Sequence, residues 1–191
     1  MFTMQDFHKI KSGIKSMGQE EHFSPKLSPI AYAISRLNST AIGECGEKLM
    51  ARYLRRKKYH VRRIGNRQSI DILLDGKLRC EVKTGTMQLN NTGNRTAKYV
   101  LRHVKPELFD ILFMVFITPK GIVVKWTEQK YAMKYLETRK RGKDGYAICF
   151  DATCDNEKLA YNDNIEDFVK YYPSMSSRID QAVACLLRKE L

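Results

Sequence analysis

The 191-residue chain is 43% apolar and 29% charged, which suits one domain with a real core and excludes a disordered or membrane-embedded protein. Lys and Arg outnumber Asp and Glu by 34 to 21, a net charge of +13 with a pI near 9.6. That balance points to a polyanionic partner, nucleic acid ahead of a membrane surface.

Residues 4–17 carry Phe7, Ile10, Ile14 and Met17 at helical spacing with Lys9, Lys11 and Lys15 between them, predicting a basic amphipathic helix. Residues 18–25 read as a linker. Ser28-Pro29 offers an N-cap and a first-turn proline for a short helix through Leu37. Asn38-Ser39-Thr40 opens the next helix, to about Lys58, with Ile42, Gly46, Leu49, Met50 and Tyr53 as its apolar stripe. His60 to Ile64 predicts the first strand, and Gly65 to Gln68 a turn. Two apolar runs around Asp75-Gly76 then predict a hairpin.

Beyond Lys83, the polar, glycine-bearing stretch Thr84 to Arg95 reads as a long loop beside the hairpin. Ala97 to Leu101 predicts a strand, and Leu108 to Ile117 a buried strand with Asp110 near its start. Pro119-Lys120-Gly121 turns into a strand from Ile122 to Trp126, with Trp126 in the core. Thr127 caps a helix to about Glu137. Arg139 to Lys143 forms a basic loop before a strand from Tyr146 to Phe150. Asn164 to Tyr172 and Ser177 to Lys189 predict terminal helices split by Pro173. Helices, then clustered strands, then helices predict an α/β (α+β) fold, a mixed central sheet flanked by helices. The divisions expected are 1–38, a helical extension; 39–150, the core; and 151–191, a second helical extension.

The cysteines (Cys45, Cys80, Cys149, Cys154, Cys185) are scattered and form no C-x-x-C, and no histidine lies at finger spacing, so reduced thiols in a cytoplasmic protein are expected rather than a zinc site. The start of the chain lacks a secretory apolar region, and the longest apolar run, Ile111 to Ile117, is too short to span a bilayer. No membrane partner is expected.

The chemistry concentrates on the hairpin. Glu81 and Lys83 stand two apart on one strand and so share a face. Charges on strands this apolar are costly unless paired or metal-bound. A loop of Asp75-Gly76 alone would turn Asp71 away from Glu81. A three-residue loop, either Leu74-Asp75-Gly76 or Asp75-Gly76-Lys77, puts the two carboxylates on one face, roughly 5–8 Å apart at Cβ and close enough to share a divalent cation. On the preceding helix, Glu44 falls on the far side with Lys48 four residues on, an ordinary surface pair. Glu47 borders the apolar stripe, has no such partner, and can lean toward Asp71 and Glu81. A cross-strand salt-bridge cluster is the structural alternative for Asp71, Glu81 and Lys83. Arg55, Arg56, Lys57, Lys58, Arg62, Arg63 and Arg67 lie around these acids in sequence and, with Arg139 to Lys143, suit phosphate contact.

Gly46-Glu47-x-x-Met50-Ala51-x-x-Leu54, then Asp71, then Glu81-Val82-Lys83, resembles the PD-(D/E)XK nuclease superfamily, the restriction-endonuclease-like fold, over roughly residues 40–126. Ile70 stands where that pattern often has proline. The resemblance implies a Mg²⁺-dependent endodeoxyribonuclease, with Mn²⁺ a substitute, acting on double-stranded DNA. It places catalytic roles on Glu47, Asp71, Glu81 and Lys83. The metal would fall to Asp71, Glu81 and the Val82 backbone carbonyl, with Glu47 a further candidate. A restriction-type enzyme or its cleavage subunit is the first expectation, working as a homodimer or with a second nuclease subunit. A Holliday-junction resolvase or repair nuclease is the second, and a non-catalytic DNA-binding module on the same fold is the alternative from another class.

Overall fold

The computed structural model describes residues 37–64, 70–89, 97–118 and 120–177. The two helices expected before residue 37, the 65–68 turn, Arg67, Cys185 and the helix expected from Ser177 lie outside those residues, apart from Ser177 itself.

Helix α1 (Ser39–Arg56) starts where the sequence supplies a cap: the Asn38 side chain accepts the Ala41 N–H at 2.9 Å. Its buried face is Cys45, Gly46, Leu49, Met50, Ala51, Tyr53 and Leu54, and Arg55 and Arg56 sit in its last turn, where cations suit the helix dipole. Seven strands follow, in one sheet: β1 (Val61–Arg63), β2 (Ile72–Leu74), β3 (Leu78–Leu89), β4 (Ala97–Val104), β5 (Ile111–Thr118), β6 (Gly121–Glu128) and β7 (Tyr146–Phe150). A short 3-10 turn (Pro106–Leu108) and helices α2 (Gln129–Leu136) and α3 (Ile165–Tyr171) complete the described elements.

Strand β3 is the hub. It pairs antiparallel with β2, parallel with β5 along residues 80–86, and antiparallel with β4 at its far end. β1 extends the β2 edge, β6 continues from β5, and β7 from β4. The sheet is therefore mixed and flanked by helices. The Arg79–Asp110 pair fixes the parallel β3–β5 start: Asp110 accepts the Arg79 N–H at 2.8 Å and its guanidinium at 2.7 Å, while the Asp110 N–H donates to the Arg79 carbonyl. Those Arg79 bonds hold the Asp110 carboxyl below its ordinary range.

β5 is buried from Ile111 to Ile117, as a strand covered on both faces must be. Ile111, Phe113 and Val115 face one apolar cluster with Met50 and Leu54 of α1 and Phe168 of α3. Leu112, Met114 and Phe116 face the other, with Tyr99, Leu101, Ala132, Leu136 and Phe150. Trp126 is 1% exposed and packs edge-on against Phe168. Residues after 150 belong to the same core: Cys154 and Leu159 join the second cluster. Lys125 of β6, its side chain only 5% exposed, pins this segment through Asp155 at 2.8 Å and Asp163 at 2.7 Å. No helix among the described residues is long and apolar enough to cross a membrane.

Two expectations are corrected. The stretch after Lys83 is not a loop from Thr84: β3 runs on to Leu89, because Thr84, Gly85 and Thr86 pair with β5 and Met87 to Leu89 with β4. Partners on both sides override polar, glycine-bearing composition. Thr127 does not cap α2. It is a buried β6 residue whose hydroxyl donates to the Ala160 carbonyl at 2.7 Å, and Glu128 occupies the cap position.

α1 lies close on β3 at Gly46. A Cβ there would overlap the Thr84 side chain well inside van der Waals contact, and the Thr84 hydroxyl is buried without a hydrogen-bond partner. Gly46→Ala is therefore expected to destabilise by about 1–3 kcal/mol through overpacking. Thr84→Ala alone should cost less than about 1 kcal/mol, since the hydroxyl it removes is unpaired, and should relieve most of the Gly46→Ala loss. Urea titrations of the two single variants and the double variant check this. Additive losses would show that the contact is not what excludes a side chain at Gly46.

Candidate active site

The hairpin connection is Asp75-Gly76-Lys77, three residues, since Leu74 pairs with Leu78. Asp75 and Gly76 both have positive φ, 48° and 72°, which suits an Asp-Gly pair. The Asp75 carboxylate accepts the His60 and Met175 N–H groups, each at 2.8 Å, tying the turn to β1 and to the C-terminal segment.

The β2–β3 ladder ends at Ile72 and Cys80, and Asp71 continues it by other means. Its N–H donates to the Cys80 carbonyl at 3.2 Å, and its Oδ2 accepts the Val82 N–H at 2.7 Å. The carboxylate thus stands where β2 would otherwise run on beside β3. Cys80 and Val82 face the α1 cluster, so by strand alternation Glu81 and Lys83 point to the opposite face. There Lys83 pairs with Glu81 at 2.6 Å, their side chains 21% and 13% exposed.

Burial, then the charge of Glu81, pushes the Asp71 carboxyl up to about 7, against the pull of the Val82 N–H. Burial also raises Glu81; Lys83 pulls it back, Glu47 adds to the rise and Lys105 opposes it. The two acids therefore stand within electrostatic range of each other, and Glu47 within range of both.

Glu47 does not stand alone as its helix spacing suggested. Arg63 of β1 holds its carboxylate at 2.7 Å. Glu44 pairs with Lys48 at 2.8 Å, the surface pair its spacing predicted. Among the described residues no three His, Cys, Asp or Glu side chains form a group that could hold a metal ion. Asp71, Glu81 and Lys83 are brought together, while Glu47 is tied to Arg63. The Val82 backbone lies between Glu81 and Lys83 and donates to Asp71.

Sequence reasoning missed the partner of Glu47 and missed Lys105. Arg63 was one of many basic residues near the site, and nothing local to it marks a carboxylate sixteen positions earlier. Of the other cations, Lys57 pairs with Glu166 at 2.6 Å, Arg55 donates to the Val61 carbonyl, and Arg141 pairs with Glu107. Arg139 lies over the Tyr135 ring. Arg62 is exposed on β1.

No protein-family model matches the chain, and no curated protein matches its sequence. Among solved structures it is similar to a bacterial homing endonuclease, I-Ssp6803I, with a TM-score of 0.39 and 14% identity, over 64% of this chain and 82% of that one.

Proposed function

We propose that the chain is a Mg²⁺-dependent endodeoxyribonuclease of the PD-(D/E)XK type, hydrolysing phosphodiester bonds in double-stranded DNA as a restriction-type enzyme or its cleavage subunit. The observation that carries this reading is the meeting of two partly buried acids, Asp71 and Glu81, with Lys83 beside them, on a chain of net charge +13. A stabilising cluster would balance its charges; here burial and Glu81 leave Asp71 with a carboxyl raised to about 7. A divalent cation relieves that repulsion, and the donors are all hard oxygens, which suit Mg²⁺.

In this reading Asp71 and Glu81 hold the cation. An extended residue directs its N–H and carbonyl to one edge, so the Val82 carbonyl faces the edge where Asp71 stands and can complete the set. Glu47 is the further candidate ligand, once released by Arg63. When bound, Mg²⁺ supplies Lewis acidity toward the phosphoryl oxygens and lowers the pKa of a water. Lys83, oriented by Glu81, positions the attacking water and counters charge developing on the phosphorane-like transition state. Arg62 and the Arg139–Lys143 turn contact backbone phosphates. The described cysteines are free thiols, which suits the reducing cytoplasm.

Cleavage of supercoiled plasmid, linear duplex and four-way junction DNA, each with Mg²⁺ and with EDTA, tests the proposal. Mg²⁺-dependent cutting of duplex DNA supports it; preference for the junction would make the protein a resolvase; binding without cutting in any Mg²⁺ or Mn²⁺ condition would make it a non-catalytic module. Within the same assay, Glu47→Gln should lower cleavage by about tenfold or more, and Glu44→Gln by less than about twofold, because only Glu47 lies in range of the two strand acids. Equal losses would remove Glu47 from the site.

A further inference from the structure

We infer that Arg63 is a substrate-displaced latch on Glu47: a backbone phosphate of bound DNA takes the guanidinium, and the freed Glu47 carboxylate then turns to the divalent cation. The inference rests on the proposed nuclease reading and adds a positioning residue to it.

Three observations carry it. The Arg63–Glu47 pair is close, at 2.7 Å, and closes off an α1 acid that lies within range of both Asp71 and Glu81. The pair is also accessible: the Arg63 side chain is 33% exposed on a three-residue strand at one end of the sheet order, next to exposed Arg62. An ion pair this open to water is weak and easily exchanged. Glu47 holds the guanidinium through Oε2, whereas a phosphate offers it two oxygens in a fork. Finally, β1 is wired to the site: the Ile64 N–H, one residue past Arg63, donates to the Asp71 carbonyl at 2.9 Å. A phosphate that engages Arg63 is therefore held beside the acids. The Lys83–Glu81 pair is more buried and stays closed in the same event.

The latch makes an unusual demand, that removing the Glu47 charge tightens DNA binding only while Arg63 is present. Binding of a fluorescent duplex in EDTA, where nothing is cut, measures it for wild type, Glu47→Gln, Arg63→Ala and the double variant, each checked for folding by thermal melting. Glu47→Gln is expected to bind about fivefold tighter than wild type, the upper end of what a partly exposed pair is worth. Arg63→Ala should bind about fivefold weaker or more, with the salt slope reduced by about 0.9. The double variant should match Arg63→Ala. Should Glu47→Gln fail to fold, Ca²⁺ titration of Arg63→Ala without DNA decides the matter: Ca²⁺ is expected to bind several-fold tighter than to wild type, because Glu47 is already free. A Glu47→Gln gain that persists without Arg63, or unchanged Ca²⁺ affinity in Arg63→Ala, overturns the latch while leaving the nuclease reading intact. A wild-type protein that does not bind duplex at all overturns both.

Discussion

Asp71→Asn, Glu81→Gln and Lys83→Ala are each expected to lower Mg²⁺-supported cleavage by about 10²–10³-fold while duplex affinity in EDTA stays within about twofold. The three side chains sit at the end of the hairpin ladder rather than among the exposed arginines, so on the proposed reading their loss removes chemistry and leaves the phosphate-binding arginines in place. Asp71→Asn carries a second expected result of opposite sign. Burial and Glu81 raise the Asp71 carboxyl from its ordinary 3.8 to about 7, so between those pH values the native state keeps a proton that the unfolded chain has lost. Asp71's own contribution to the stability of the unliganded fold is then greatest below about pH 4 and is lost as pH rises from there through about 7. Asparagine removes the charge and still accepts the Val82 N–H. The variant should therefore melt higher than wild type at pH 8 without metal, by about 1–3 kcal/mol, and should lose that part of the pH dependence. Added Mg²⁺ should stabilise wild type and not the variant. Wild-type cleavage should rise as pH climbs through the Asp71 titration, at a midpoint below about 7 once a cation is bound. Near-normal turnover by purified Asp71→Asn would remove Asp71 from the reaction, and a lower melting temperature than wild type at pH 8 would show that its charge does not destabilise the unliganded fold.

Local chemistry made part of this architecture readable. Asn38 before an apolar stripe marks the start of α1, and the seven-residue apolar run marks the buried strand β5. Asp75-Gly76 marks the hairpin, where parity alone separates a turn that joins Asp71 to Glu81 from one that parts them; the three-residue turn is the one that forms. What was not readable depends on partners far away in the chain. Thr84 to Leu89 look like loop residues until β4 and β5 flank them. Thr127 looks like a cap until Ala160 takes its hydroxyl. Glu47 looks unpaired because helix spacing surveys only its own helix, whereas its partner arrives on β1. Asp110 shows the converse: an acid next to a buried strand invites a functional role, and the fold spends it on Arg79.

An isolated monomer is expected to nick supercoiled plasmid or leave it uncut, and not to linearise it in one binding event. These 191 residues carry one Asp71, Glu81 and Lys83 set, and on the proposed nuclease reading one such set attacks one phosphodiester. The two scissile phosphates of a duplex lie on opposite strands of opposite polarity. A single rigid sheet presents its acids in one orientation, so the second strand is reached only by release and rebinding or by a second site. A two-fold pair of chains matches the two-fold symmetry of palindromic DNA, whereas a partner subunit with its own acids would serve an asymmetric sequence. Single-turnover cleavage with the oligomeric state fixed by sedimentation separates these cases. If a second chain is needed, the nicked form should accumulate at low protein concentration and the linear form should appear as concentration rises. Mixing wild type with excess Lys83→Ala should then restore nicking at the expense of linear product, because mixed dimers hold one working site. A demonstrably monomeric sample that converts plasmid directly to linear form, with no nicked intermediate, would mean that one set of acids reaches both strands before release.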